Sequence, residues 1–95
     1  MDLGSAIRIL RQKQNMTQAQ LAERVGISIN AVSSMETGKS FPPKATVERL
    51  CGAFDIPVSY FLISTIEEKD IPEEKRVLYR ALLEPFRNEL LDKQQ

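Results

Sequence analysis

Apolar side chains recur every three or four residues along most of this 95-residue chain. This spacing places them on one face of an α-helix, and such a face must be buried against another element. Five segments in the first two thirds of the chain show the pattern, and a sixth lies near the end. We therefore predict an all-α fold with helices at about residues 3–14, 17–25, 28–35, 43–54 and 56–62, and a further helical segment from residue 72.

Signals for the start and end of helices are concentrated in the stretch Thr17–Gly38. Thr17 is followed three residues later by Gln20, which is the capping-box pattern of a helix N-terminus. Gly26 follows the first helix, where a residue without a Cβ atom enters the left-handed region cheaply. Ser28 is a good N-cap for the second helix. Two short helices joined by a tight, glycine-containing turn form a helix-turn-helix.

The residues of this stretch resemble those of a known family. The matching positions are Thr17-Gln18-x-x-Leu21-Ala22-x-x-x-Gly26-Ile27-Ser28, followed by Val32, Glu36 and Gly38. This pattern resembles the lambda-repressor/Cro (Xre-type) DNA-binding domain over about residues 3–62. The resemblance implies a five-helix, lambda-repressor-like domain at residues 1–62. It also implies that the second helix of the motif enters the major groove of double-stranded DNA.

The predicted second motif helix carries short side chains on its outer face, at Ile29, Asn30, Ser33 and Ser34. The absence of Lys and Glu from this face is informative, because a merely solvated helix usually carries long charged residues. Compact hydrogen-bonding groups suit a helix that lies against base edges. Asn30 can bond adenine N6 and N7, Ile29 can contact a thymine methyl group, and the two serines specify weakly. We predict that these four residues read bases.

Other polar residues are predicted to contact the DNA backbone. Gln18 resembles the family's glutamine that contacts a phosphate, and the free N–H groups of the helix it begins suit an anion. The loop after the second motif helix resembles the one that the family lays along the DNA. Such contacts position a protein without reading sequence. The predicted backbone contacts are Gln18, Ser28, Thr37, Lys39, Ser40 and Lys44.

The resemblance also implies an ion pair between Arg11 and Glu36. Its role would be structural, because it would tie the first helix to the end of the recognition helix. The alternative is two independent solvated charges, the more common state of a surface Arg or Glu. Because both positions match the family pattern, we favour the pair.

Residues 63–71 have no clear period and are predicted to form a linker. Pro72 then begins a helical segment over residues 72–95, whose apolar residues require a covering surface. Pro85 is expected to kink or break this helix. Two interpretations stay open: the segment folds back on its own domain, or it is a dimerisation arm. We favour the arm, because two-fold operators require two-fold proteins.

Composition narrows the chemistry that is available. The chain has no histidine, which is the commonest general base and the commonest metal ligand. It has one cysteine, so no disulfide within the chain is expected. The sequence has no Gly-rich phosphate loop and no metal-ligand cluster. We therefore expect no enzymatic activity, no cofactor and no metal. No apolar run approaches the ~20 residues of a membrane span, so we expect a cytoplasmic protein.

The charges are unevenly distributed, although 13 basic and 13 acidic residues balance. Seven basic and five acidic residues lie at or before Thr65, whereas six basic and eight acidic residues follow it. The excess of positive charge therefore lies in the part predicted to bind DNA, and the acidic remainder indicates a different role for the C-terminal segment.

Together with the resemblance, these features predict a sequence-specific transcriptional regulator. It would bind an inverted-repeat operator in double-stranded DNA as a homodimer, with half-sites one helical turn, ~34 Å, apart. Repression by occupying a promoter is the simplest mechanism. The alternative is an antitoxin or other protein-interaction module whose acidic C-terminal helix binds a partner protein.

Overall fold

The computed structural model describes residues 1–91, which form helices and no β-strand. The predicted all-α fold is confirmed. Residues 92–95, the end of the predicted C-terminal segment, lie outside the described residues. The first five helices are α1 (Leu3–Lys13), α2 (Gln18–Val25), α3 (Ile29–Glu36), α4 (Lys44–Phe54) and α5 (Val58–Thr65).

The core of the five-helix domain is built from the apolar faces that the sequence pattern indicates. Ile7 of α1, Leu21 of α2, Val32 of α3, Leu50 of α4 and Phe61 of α5 are all completely buried. Each buried side chain of this size contributes about 1.5–3 kcal/mol relative to an exposed one. Helix α3 packs against both α1 and α2. Its inner face is therefore held by two helices while its outer face is left free.

The motif helices begin and end at the residues predicted for them. The Thr17 hydroxyl accepts from the Gln20 N–H at 3.1 Å, and the Gln20 amide oxygen accepts from the Thr17 N–H at 2.8 Å. Gly26 ends α2 with a φ of 79°, in the left-handed region. The Ser28 hydroxyl accepts from the Ala31 N–H at 3.0 Å, so Ser28 caps α3. All of these interactions join residues within four positions of one another.

Helix α5 extends three residues beyond its predicted end at residue 62, so the predicted linker over residues 63–71 begins too early. Ser64 and Thr65 are buried, and their hydroxyls donate to the carbonyl oxygens of Phe61 and Leu62 at 2.6 and 2.7 Å. These bonds back onto the helix satisfy two polar groups that would otherwise destabilise its buried end.

The C-terminal segment is a series of short helical turns that leads into a two-turn helix. Two 3₁₀ turns precede a continuous helical stretch, and a π-helical turn lies within that stretch. In order, the elements are the 3₁₀ turns Glu68–Asp70 and Glu73–Lys75, α6 (Arg76–Leu78), the π-helical turn Tyr79–Leu83, and α7 (Glu84–Leu91).

Pro85 does not break this stretch, so the breaking of the helix, one of the two effects predicted for this residue, does not occur. It is the second residue of α7, and the preceding Glu84 donates its N–H to the carbonyl oxygen of Tyr79, five residues back. Proline has no N–H for an α-helical bond and crowds the carbonyl group four residues earlier. The wider π-helical turn before Pro85 relieves this crowding, so the helical backbone continues.

One face of α7 packs on the five-helix domain. Leu91 lies against the core, and the Arg87 guanidinium donates to the carbonyl oxygen of Ser64 at 3.2 Å. The rings of Phe86 and Tyr60 meet edge to face, with centroids 5.6 Å apart. The interpretation that the segment folds back on its own domain is therefore correct for α7.

The opposite face of the C-terminal segment is exposed. Val77, Leu78 and Leu82 have 71%, 59% and 69% of their surface exposed, and we call these three side chains the apolar ridge. Tyr79 lies between them in sequence but is buried, with its hydroxyl donating to the carbonyl oxygen of Ile66 at 3.2 Å. The segment thus has a covered side and an apolar side that nothing within residues 1–91 covers.

Candidate nucleic-acid interface

Helix α3 presents a small set of side chains on its outer face. Val32 and Glu36 are buried on the inner side, whereas Asn30 is exposed and Ile29 has 51% of its surface exposed. The two residues predicted to read bases from the first turn of α3 are therefore accessible. One supplies an amide and the other a branched apolar group, and neither is long or charged.

Ser33 and Ser34 are less accessible than predicted, since both are half-buried. The loop after α3 folds back over this turn, and the backbone N–H groups of Lys39 and Ser40 donate to the carbonyl oxygen of Ser34 at 2.8 and 3.2 Å. The two serine hydroxyls are also the shortest polar groups on the face. The first turn of α3 is consequently the part best placed for base contacts.

The end of α3 is joined to α1 by a buried ion pair. The side chains of Glu36 and Arg11 have 1% and 11% of their surface exposed. Arg11 Nε lies 2.6 Å from Glu36 Oε2, and Arg11 Nη2 lies 3.0 Å from Oε1. A third nitrogen, Nη1, donates to the carbonyl oxygen of Met16 at 2.8 Å. The pair implied by the resemblance is present, and the alternative of two solvated charges does not hold.

Glu36 is ionised in this setting. Burial alone would raise the pKa of its carboxyl group, but hydrogen bonds from Arg11 and Gln18 outweigh that effect and hold the pKa below its ordinary value. Gln18 Nε2 donates to Glu36 Oε1 at 3.0 Å. One carboxylate thereby connects α1, α2 and α3 through charge-assisted hydrogen bonds, which fixes the orientation of α3.

Gln18 and Ser28, two of the predicted backbone contacts, have partners within the protein and still keep a hydrogen that they can donate. Gln18 donates one amide hydrogen to Glu36, and the second remains available for a phosphate oxygen. Ser28 accepts the N–H of Ala31 in its role as N-cap, and its own hydroxyl hydrogen remains available. Both residues lie at the start of a motif helix, so both roles are compatible with the structure.

Thr37 is the predicted backbone contact that the structure disfavours. Its hydroxyl donates to the carbonyl oxygen of Ser33 at 2.9 Å, so it has no hydrogen left for a phosphate in this conformation. Thr37 is exposed, as are the other three loop residues, Lys39, Ser40 and Lys44. Thr37 differs because its hydroxyl bonds back onto the end of α3, where the Ser33 carbonyl oxygen also accepts the Thr37 backbone N–H at 3.0 Å.

Two residues that the sequence did not single out complete this region. A Cβ atom on Gly4 would lie 2.6 Å from the carbonyl oxygen of Glu36, so α1 approaches the end of α3 as closely as a backbone can. Arg8 Nε lies 3.7 Å from Glu36 Oε1, beside the Arg11 pair. The sequence does not distinguish Gly4 from Gly52, a second glycine within a helix that has nothing within 4 Å of an added Cβ atom. Arg8 could have been noticed because it lies one turn before Arg11 on α1.

The remaining chemistry-bearing groups of the described part of the chain form no second site. Residues 1–91 contain no group of three or more His, Cys, Asp or Glu side chains that could hold a metal ion. Cys51 is buried in the core, where desolvation raises the pKa of its thiol. None of the helices found there has the length and apolar character needed to cross a membrane.

The sequence matches a known protein family and several curated proteins. A family model described as helix-turn-helix matches residues 7–61, which run from α1 into α5. A competence pilus inhibition repressor of Acinetobacter baylyi is 38% identical over 63 residues, which cover 66% of this chain and 57% of that protein. An immunity repressor protein of Bacillus phage phi105 is 28% identical over 81 residues, 85% of this chain and 54% of that protein.

A third relative, the transcriptional activator BcrR of Enterococcus faecalis, is 31% identical over 62 residues, 65% of this chain and 30% of that protein. This chain spans about half the length of the first curated relatives it matches. No solved structure matches it with significance. Since the family model covers more than half of the residues, the chain belongs to the lambda-repressor-like (Xre-type) family of helix-turn-helix DNA-binding regulators.

Proposed function

We propose that this protein is a cytoplasmic, sequence-specific transcriptional regulator that binds an inverted-repeat operator in double-stranded DNA as a homodimer. The outer face of α3 carries the proposal, because Asn30 and Ile29 stand exposed on a helix whose inner face is buried. The major groove admits an α-helix, and an amide and an apolar group recognise the two bases of an A·T pair. Glu36 anchors the end of this helix, so its side chains are held in place for recognition.

Backbone contacts are proposed on both sides of this face. Gln18 and Ser28 lie at the starts of α2 and α3, and the exposed residues Lys39, Ser40 and Lys44 follow the end of α3. Such contacts would set the register of α3 on the duplex without reading its sequence. Because the five-helix domain carries only a small excess of positive charge, non-specific binding should be weak.

The apolar ridge supports the proposal that residues 72–95 act as a dimerisation arm. Val77, Leu78 and Leu82 project from a segment that is itself fixed to the domain through Leu91 and Arg87. Two copies joined along their ridges would therefore hold their recognition helices in a fixed relation. A dimer of this kind must present the two helices about 34 Å apart to enter successive major grooves.

Repression is the proposed mode of action. Two of the relatives described above are named repressors, and a protein bound across a promoter excludes other proteins by simple occupancy. The Enterococcus faecalis relative is named an activator. Transcription from a reporter promoter, measured with and without the protein, distinguishes repression from activation.

A protein-interaction module, such as an antitoxin, is the second candidate function. The same apolar ridge supports it, since an exposed apolar helix face suits a partner protein as well as a second copy. A monomer that pulls down one small protein from its host and loses it when Leu82 is replaced by Ser would favour this candidate over the homodimer.

DNA recognition is tested by selection from a pool of randomised duplexes, followed by sequencing. The proposal predicts an enriched inverted repeat for the wild-type protein and loss of the preference at one position of each half-site for Asn30→Ala. Exposed Asn30 contributes nothing to the core, so this variant should fold normally. If the folded wild-type protein enriches no sequence at low salt, the proposal of a sequence-specific regulator is wrong.

Dimerisation is tested separately by sedimentation equilibrium without DNA. The Val77→Ser/Leu82→Ser variant should be monomeric at concentrations where the wild type is dimeric. Phe41→Ser is the matched control, because Phe41 is equally exposed, at 72%, but lies outside the arm. Equal self-association of all three proteins would show that the ridge is not the dimer interface.

A further inference from the structure

Two arginines of α1, Arg8 and Arg11, lie near the buried carboxylate of Glu36, and they differ in their distance from it and in their exposure. Arg11 donates to both oxygens of Glu36 and has 11% of its side chain exposed. Arg8, one turn earlier, has 46% exposed and is more distant, with Nε 3.7 Å from Oε1 and Nη2 3.4 Å from the Glu36 carbonyl oxygen. These contacts engage at most two of the five N–H donors of the Arg8 guanidinium.

The charges in this cluster do not cancel. Glu36 supplies one negative charge, whereas Arg8 and Arg11 supply one positive charge each. Arg11 alone neutralises the carboxylate and satisfies both of its oxygens, with Gln18 as a further donor. The charge of Arg8 is therefore left over, and it lies on the half-exposed guanidinium rather than in the protein interior.

The position of Arg8 relative to the recognition face follows from the helical repeat of α3. Ile29, Ser33 and Glu36 are spaced four and three residues apart, so they form one edge of α3. Arg8 contacts Glu36 and therefore lies beside this edge. Gln18, a proposed phosphate contact, donates to the same Glu36 oxygen that Arg8 approaches, so the two side chains are neighbours.

We infer that Arg8 binds a phosphate of the DNA backbone beside the recognition helix, with Glu36 orienting its guanidinium. A guanidinium with free donors and an unbalanced charge suits a phosphate oxygen, and two contacts to Glu36 limit its freedom before DNA arrives. Arg8 thus contributes affinity and register, and no base specificity. The inference rests on the proposed function, because it requires α3 to lie in the major groove.

A contribution to stability does not explain why Arg8 lies beside Glu36. The Arg8 side chain is half-exposed and its Nε is 3.7 Å from the carboxylate, so this contact stabilises the fold very little, and Glu36 already has strong donors. The same residue placed beside a nucleic-acid phosphate releases condensed counterions, which gives a measurable signature in the salt dependence of binding.

The test compares Arg8→Gln with the wild type on the selected operator over a range of salt concentrations. Loss of one phosphate contact lowers the slope of log K against log[salt] by about 0.9 for B-DNA. Between ~50 and ~200 mM salt, the affinity of Arg8→Gln should therefore fall about 3.5-fold less than that of the wild type. Arg8→Lys retains the charge and should keep the wild-type slope.

Arg49→Gln is the matched control. Arg49 is also an exposed arginine on a helix of the five-helix domain, but it lies on α4, outside the residues proposed to contact DNA or a second copy. Its replacement should leave the slope unchanged. Unfolding in urea, followed for every variant, separates a loss of fold from a loss of contact.

Failure of this inference differs from failure of the proposed function. If the wild type selects an operator and Arg8→Gln keeps the full salt slope, Arg8 has no phosphate contact and the inference is wrong. An Arg8→Gln protein that is less stable in urea, with an unchanged slope, also overturns the inference, because it shows a purely structural role. If the wild type selects no sequence, the proposed function itself fails and the inference fails with it.

Discussion

The Arg11 guanidinium donates to both carboxylate oxygens of Glu36, at 2.6 and 3.0 Å, although the two residues are 25 positions apart. The pair joins the last turn of α1 to the last turn of α3. Because Glu36 also accepts from Gln18 of α2, a single buried carboxylate ties the three helices around the recognition face. The orientation of α3 thus depends on a buried pair that is not itself proposed to touch DNA.

Removing Arg11 should destabilise the fold strongly. Arg11→Met leaves Glu36 buried with too few donors, and the loss of one partner from a buried pair costs about 3–5 kcal/mol. Arg8→Met removes only the longer, more exposed contact and should cost less than about 1 kcal/mol. Urea unfolding followed by circular dichroism measures both. Equal, small losses for the two variants would contradict the central role given to the Arg11 pair.

Stability should fall as the solution is acidified, and Glu36 should account for part of the loss. The folded protein holds the pKa of Glu36 below its ordinary value, whereas the unfolded chain has the ordinary value, so the unfolded chain takes up the proton first. The stabilisation is complete above the ordinary value of about 4.3 and disappears as the pH falls through the pKa of the folded state.

The matched measurement is the urea midpoint of the wild type and of Glu36→Gln between pH 7 and pH 3. Asp2 and Asp70 also have lowered pKa values, so both proteins should lose stability in acid, but the wild type should lose more. Two curves that remain parallel throughout would show that Glu36 contributes nothing to the acid response.

Two glycines offer a test of how closely α1 approaches α3. A Cβ atom at Gly4 would lie 2.6 and 2.7 Å from the carbonyl oxygens of Glu36 and Met35, and backbone atoms cannot move aside cheaply. Gly4→Ala should therefore destabilise the protein by about 1–3 kcal/mol, as overpacking does. It should also weaken operator binding, because any shift that relieves the clash changes the orientation of α3.

Gly52→Ala is the control for that substitution. Gly52 lies within α4, and a Cβ atom there would meet nothing within 4 Å. Alanine should stabilise this helix by about 0.5–1 kcal/mol relative to glycine. Opposite signs at the two positions, measured by thermal or urea unfolding, are the expected result. A neutral or stabilising Gly4→Ala would mean that α1 and α3 are farther apart than described.

The features that could be predicted from the sequence are those that depend on near neighbours. The Thr17 capping box, the left-handed Gly26 and the Ser28 cap each need only three or four residues, and all are present. The Arg11–Glu36 pair is long-range, so spacing alone could not establish it. The prediction came from the family pattern and not from the physics of either residue.

The features that the sequence did not reveal depend on packing. Helix α5 continues to Thr65 because its last polar residues are buried and bond back to the helix. The polar character of Ser64 and Thr65 in the sequence gives no indication that they are buried. Pro85 is tolerated through the π-helical turn that precedes it, in a segment held against α5. The nearness of Arg8 to Glu36 likewise emerges only when α1 and α3 are assembled.

Base reading by Asn30 in the major groove is the proposal on which the others depend, and it can be measured atom by atom. Each adenine of the selected half-site is replaced in turn by 7-deazaadenine, which lacks the N7 acceptor, and binding by wild type and Asn30→Ala is compared. At one position we expect about tenfold weaker binding by the wild type and no change for Asn30→Ala, because a bidentate contact discriminates by about 1–3 kcal/mol. If no adenine shows this dependence on Asn30, the role proposed for the outer face of α3 is wrong.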